Sequence, residues 1–282
     1  DRNIGLCFLT PNGRFLARVS GKVKGNVLLR KKQYQVSEKQ DDSVPIAASF
    51  LLGKIYNSRK VIERALRDHV MLVDGDELTK ASAFLKQSLC TIPQCNSIGE
   101  LMAFEGSAAK IYFGVFNQLI LQQKEEFAFK ERSRRPPLDN MNSLLSFLYT
   151  VLTNETVSAL EAVGLDPYVG FLHTDRPGRP SLALDLMEEM RPFLADRLAL
   201  SLVNRKQISG KGFTQKESGG ILMDDETRKT VITAWQERKR EEILHPYTRE
   251  RIPLGLILHV QAMLLARHLR GDLDAYPPFF WS

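Results

Sequence analysis

The period of the apolar positions changes once along the chain. Residues 4–10 and 15–19 read as strands, and Asn12-Gly13 between them is a strong turn signal, so this stretch predicts a β-hairpin. A lone hairpin is marginal in water, so partner strands are expected upstream or from another chain. Beyond Asn26 the alternation gives way to helical spacing. Residues 43–69 predict a helix or two, with Val61, Ile62, Ala65 and Leu66 on one face. Further helices are predicted over 97–125, 141–152, 155–163 (stopped by Gly164), 182–204 (kinked by Pro192), 224–244 and 252–270. Loops separate them: 130–140, basic with prolines; 166–181, with three prolines; and 205–220, basic and glycine-rich. The expected fold is mainly α: a large all-helical domain over 26–282, preceded by the remnant of a small β-domain over 1–25. No internal repeat is visible.

Composition narrows the class. A hydrophobic content of 43% over 282 residues supports one large core, or a core plus a small domain. Lys and Arg exceed Asp and Glu by 39 to 33, a mild basic excess that suits a polyanionic partner without requiring one. Three cysteines, Cys7, Cys90 and Cys95, fit a reducing compartment better than a disulfide framework. No second Cys or His pair follows Cys90-x4-Cys95 at ligand spacing, which argues against zinc. The most apolar stretch, 252–269, is broken by His259, Gln261, Arg267 and His268, so it reads as a buried helix and not a membrane span. With no signal peptide, a soluble cytoplasmic protein is expected.

Two segments carry candidate chemistry. Ser97-x-x-Glu100 resembles a capping box. The stripe that follows, Ile98, Leu101, Met102, Ala109, Tyr112 and Phe113, has Glu105 on it. A carboxylate facing a core must be neutralised, paired or metal-bound. The plainer alternative is an ion pair with Lys110 or a distant arginine. The second segment holds His173 in a loop, then Asp185 and Glu188 three residues apart on one helix face. Taken singly, a loop histidine is usually a packing or surface residue, and Asp-x-x-Glu a solvated face. Together, one imidazole and several carboxylates make a mixed nitrogen and oxygen set suited to Mg²⁺ or Mn²⁺. Spacing does not show that the two segments meet.

These residues also sit in recognisable stretches. They are residues 3–10 with Gly13-Arg14-Phe15; Gly53-Lys54-Ile55-Tyr56-Asn57-Ser58-Arg59; Phe104-Glu105-Gly106-Ser107-Ala108-Ala109; and Gly170-Phe171-Leu172-His173 running on to Leu184-Asp185-Leu186-Met187-Glu188-Glu189. Arg134-Arg135-Pro136-Pro137 with Asp139 and Asn142 belongs with them. In this order, over nearly the whole chain, they resemble the CRISPR-associated spacer integrase ("Cas one") family. The resemblance implies a helical catalytic domain after a β-domain, and one divalent metal, Mg²⁺ or Mn²⁺, held by Glu105, His173 and Glu188. Many members have Asp where Glu188 stands. Asp185 is implied as a supporting partner or occasional ligand. The implied reaction belongs to CRISPR adaptation, an antiviral defence: the 3′-hydroxyl of a short DNA duplex attacks a phosphodiester of the CRISPR array, with associated endonuclease activity. The implied partners are double-stranded DNA (prespacer and leader-repeat), a homodimer mate, a small ferredoxin-like adaptation subunit and a prespacer-trimming nuclease.

Lys54, Arg59, Arg132, Arg134, Arg135, Lys206, Lys211 and Arg228 are the candidate DNA-phosphate contacts. His173 is also considered as a proton carrier, because imidazole titrates near neutrality. The C-terminal aromatic run 276–281 is expected to pack on its own domain. Rival readings are a non-catalytic basic helical scaffold that grips nucleic acid, a small-molecule metalloenzyme, and a transposon-associated homologue with the same chemistry.

Overall fold

A computed structural model of the chain describes residues 6–10, 15–19, 27–217 and 219–281. Strands β1 (Leu6–Leu9) and β2 (Phe15–Val19) pair antiparallel, with the register shifting between Phe8 and Leu9. The Asn12-Gly13 turn and the boundary near residue 25 lie outside the described residues.

The helical domain is built around α2 (Gln40–Asp68), a single helix about 43 Å long at 1.5 Å per residue. Ile46, Ala47, Phe50, Leu51, Ile55 and Ile62 bury its length. Around it pack α3 (Gly75–Thr91) and α4 (Ile98–Gly114), with α1 (Val27–Ser37) at its start. α1 and α3 have no counterpart among the predicted helices. The signal for α3 was local: Asp74 accepts from the backbone N–H groups of Asp76 and Glu77, each 3.0 Å away. α4 is capped by Ser97, whose hydroxyl accepts from Glu100 N at 3.2 Å. Glu100 reaches back to Asn96 N at 2.8 Å, one residue before the cap. α4 ends at Gly114, well short of residue 125, because the chain folds back on itself. Asn117 Oδ1 accepts from Phe129 N, Asn204 Oδ1 accepts from Leu121 N, and the rings of Phe113, Phe116 and Phe129 pack together at tilted angles.

α5 (Asn140–Val163) is one helix where two were expected. Leu148, Leu152, Thr156, Val157 and Leu160 are buried along it, so packing carries the helix through the weak formers Thr153 and Asn154. Gly164, at φ 95°, ends it in the left-handed conformation. The expected kinked helix over 182–204 is three pieces: α6 (Ser181–Met187), a wide π-type turn at Arg191–Asp196, and α7 (Arg197–Asn204). Pro192 has no N–H to continue the α ladder. Strand pairing also returns after residue 26, contrary to expectation. β3 (Phe213–Gln215) pairs with β4 (Ile221–Met223), and, after α8 (Asp225–Arg238), β5 (Glu242–Leu244) pairs with β6 (Arg251–Pro253). α9 (Ile257–Arg270) closes the domain against α5. Among the described residues no helix is long and apolar enough to cross a membrane.

Candidate metal centre

Glu105 lies on a stripe of α4 with buried Leu101, Ala108 and Tyr112, while Met102, expected on the same stripe, is exposed. Its partner is neither Lys110 nor an arginine but Lys54, reaching across from α2. Lys54 is itself 8% exposed. Its ammonium also stands 2.8 Å from Oε2 of Glu188, at the end of α6. Glu188 Oε2 is buried without a well-directed hydrogen bond, so charge rather than alignment holds the ammonium there. The other oxygen, Oε1, pairs with Arg191, one turn on. Burial alone would raise the pKa of Glu188. The charges of Arg191, Lys54 and His173 outweigh it and hold the group at about 2.

His173 enters from the loop before α6. Asp185, fully buried, organises that loop. Its Oδ2 accepts from Phe171 N at 2.6 Å and Leu172 N at 3.0 Å; its Oδ1 takes His173 N at 2.9 Å and lies 2.6 Å from His173 Nδ1. With Nδ1 turned to Asp185, Nε2 is the ring nitrogen left to face Glu188. That Nε2 lies 3.9 Å from Glu188 Oε1. A Cβ on Gly170 would stand 2.8 Å from Asp185 Oδ2, so the grip on the loop needs glycine there.

The next residue along, Glu189, belongs to a different network. It accepts from Tyr276 Oη at 2.6 Å, Phe279 N at 2.7 Å and Gln261 Nε2 at 3.0 Å. Burial pushes its carboxyl up to about 8. Asn57 of α2 donates to the carbonyls of Glu189 and Phe279, and its own Oδ1 accepts from Trp281 N. The aromatic C-terminal run therefore packs on its own domain, behind the site.

The structure thus brings Glu105, His173, Glu188 and Asp185 together, but as an ion-paired cluster. Among the described residues no group of three His, Cys, Asp or Glu side chains is arranged to hold a metal as it stands. The Lys54 ammonium lies against both glutamates. The donor set nonetheless suits a hard divalent ion: two carboxylates, one with a buried oxygen that lacks a directed bond, and an imidazole nitrogen facing Glu188.

A family model described as "CRISPR associated protein Cas1" matches residues 1–237. The chain belongs to the Cas1 family. It is 54% identical over 283 residues to "CRISPR-associated endonuclease Cas1 2" of Rhodospirillum rubrum, covering 99% of this chain and 81% of that protein. Its fold matches that of a casposase bound to integration product, with a TM-score of 0.85 at 22% identity, over 99% of this chain and 76% of that one. It also matches a chain of the Cas6-RT-Cas1–Cas2 complex, with a TM-score of 0.80 at 25% identity, over 99% of this chain and 30% of that one.

The basic candidates of this Cas1 chain divide into three groups. Arg134, Arg135, Lys206 and Lys211 are exposed. Arg59 pairs with Glu63, and Arg228 lies 2.9 Å from Asp225. Lys54 and Arg132, also expected as phosphate contacts, are engaged within the protein. Lys54 is held by the glutamates, and Arg132 by Asn142, Ser146 and the Tyr149 ring. Three residues beside the site escaped the sequence reading: Arg191, Tyr149 and Asp196. Only Arg191 had a signal, its three-residue spacing from Glu188. Asp196 is buried and accepts from Tyr149 Oη at 2.6 Å and Tyr112 Oη at 3.1 Å; burial raises its carboxyl to about 6. Together with Lys54, Arg132, Arg134 and Arg191, Tyr149 and Asp196 line a small recess of about 20 Å³ that begins at the partner of Glu105, Lys54.

Proposed function

We propose that this Cas1 chain is a divalent-metal-dependent DNA integrase and endonuclease of CRISPR adaptation. It joins the 3′-hydroxyl of a short duplex to a phosphodiester of the CRISPR array. The observation that carries the reading is the meeting of Glu105 and Glu188, distant in sequence, around one cation beside an imidazole whose Nε2 is kept open by Asp185. The name of the Rhodospirillum rubrum relative supports the endonuclease part.

Glu105, His173 and Glu188 would hold Mg²⁺ or Mn²⁺, which supplies Lewis-acid stabilisation of a phosphoryl oxygen. The protein's own part is positioning. Asp185 fixes the ring of His173. Arg191 keeps Glu188 ionised. The cleft beside Glu105 supplies positive charge for the scissile phosphate: Nε of Arg132 and of Arg191 are both buried there without an acceptor. One phosphodiester replaces another, so the reaction needs no nucleotide hydrolysis. Exposed Arg134, Arg135, Lys206 and Lys211 are the phosphate contacts that would orient the duplex. A homodimer mate and a small Cas2-type subunit complete the assembly in this reading, in line with the Cas1–Cas2 association named for the structural relative.

The test is integration of a labelled prespacer by the Glu105→Gln, His173→Ala and Glu188→Gln proteins with Mg²⁺ or Mn²⁺. Each is expected to fall to background while still binding DNA. Wild-type rates in all three would overturn the assignment.

A further inference from the structure

We propose that Lys54 is a resident counter-cation that occupies the metal position between Glu105 and Glu188, and that metal entry expels it into the neighbouring cleft to meet a DNA phosphate. The proposal rests on the metal reading above and adds a switch to it.

The geometry requires a choice between two cations. The Lys54 ammonium pairs with Glu105 and stands 2.8 Å from Glu188 Oε2. A divalent ion bound by the same two carboxylates cannot share that space with an ammonium. Charge points the same way. Glu105 and Glu188 bring two carboxylates, faced by the Lys54 ammonium and the Arg191 guanidinium. A divalent ion added beside both of these cations would crowd positive charge into a partly buried site, where it is costly.

The lysine lines a small recess of about 20 Å³ shared with Arg132, Arg134, Tyr149 and Asp196, which would take its ammonium in place of a single water. The backbone need not move, because Asn57 and Gly53 lock this part of α2 against Glu189 and the C-terminal run. Only the four-carbon arm swings. Once in the cleft, its charge joins that of Arg132 and Arg134 and favours a phosphate there. Metal and DNA then bind with positive coupling, and the coupling is reciprocal. The same lysine neutralises the glutamates in the metal-free protein and contacts phosphate in the loaded one.

The experiment measures Mn²⁺ binding directly, by the electron paramagnetic resonance signal of free Mn²⁺, for wild type, Lys54→Met and Lys54→Gln, with and without a short duplex. Without DNA, both variants are expected to bind Mn²⁺ more tightly than wild type, on the order of tenfold. DNA is expected to tighten Mn²⁺ binding in wild type and to do so much less in the variants. A readout on wild type alone guards against misfolded variants: acylation of lysines, read by peptide mass spectrometry. Lys54 is expected to be protected without metal and labelled several-fold faster with Mn²⁺, while other lysines stay constant. If wild type binds Mn²⁺ but the variants bind it equally or more weakly, or Lys54 labelling ignores the metal, the switch is wrong and the metal site stands. If neither wild type nor variant binds Mn²⁺, the metal reading itself falls, and the switch with it.

Discussion

Replacing Asp185 by Asn takes a charged acceptor from the three N–H groups of Phe171, Leu172 and His173 and from the His173 ring. The amide end of Asn cannot accept, so at least one buried donor loses its partner. Destabilisation of about 1–3 kcal/mol is expected. Mn²⁺ affinity should fall about 10–100-fold, because His173 is no longer held in one tautomer. Denaturant unfolding and Mn²⁺ titration check both. Asp196 offers a pH signature away from the proposed ligands. Between the ordinary value near 3.8 and the folded value of about 6, the unfolded chain gives up the proton and the folded chain keeps it. The contribution of this group is therefore full below about pH 4 and is lost as pH rises through 6. Two pH units correspond to about 3 kcal/mol. Wild type should lose about that much between pH 4 and pH 7 relative to Asp196→Asn, measured by unfolding of both proteins at both pH values. Equal pH dependence would show that Asp196 does not titrate in this range.

At the scale of elements, two glycines make opposite predictions. Gly170→Ala would place a Cβ 2.8 Å from Asp185 Oδ2 and 2.9 Å from Ser181 Cβ. The loop carrying His173 must then shift away from α6, at a cost of about 1–3 kcal/mol. Gly106, next to Glu105 on α4, has open space around its Cβ position. Gly106→Ala should therefore stabilise the free protein by about 0.5–1 kcal/mol, since Ala is the better helix former. DNA affinity should drop if the duplex approaches α4 at this point. A melting temperature that rises while binding falls would mark Gly106 as a place kept small for a ligand.

Across the whole molecule, α2 links the parts. One stretch of it supplies Lys54 to the two glutamates, Gly53 as the gap that admits Glu189, and Asn57 as the anchor of the C-terminal run. The glutamate cluster and the packed tail thus meet adjacent faces of the same helix, since residues 54 and 57 lie three apart. The net charge of +6 is too small to predict DNA binding by itself. Its distribution is more telling, with Arg134 exposed at the cleft mouth and Lys206 and Lys211 exposed elsewhere. Reversing Arg134 and Arg135 to Glu should flatten the dependence of log K on log salt by about one for each phosphate contact removed. An unchanged slope would take these two residues out of the interface.

Local signals in the sequence determined much of this protein. The helical character after residue 26, the caps at Ser97 and Gly164, the burial of the Glu105 stripe and the candidate set Glu105, His173, Asp185 and Glu188 were all readable from spacing, or from resemblance to the Cas1 family. Periodicity and capping act within a few residues, so they survive in a bare sequence. What only the tertiary structure decided depends on contacts between distant segments. Packing ran α5 through Thr153 and Asn154, Pro192 divided the α6–α7 region around a wide turn, and the fold-back after α4 cut that helix short. The position of Lys54 was decided the same way. Its neighbours in sequence mark a basic residue on a helix, and only the meeting of α2, α4 and α6 places its ammonium against two carboxylates.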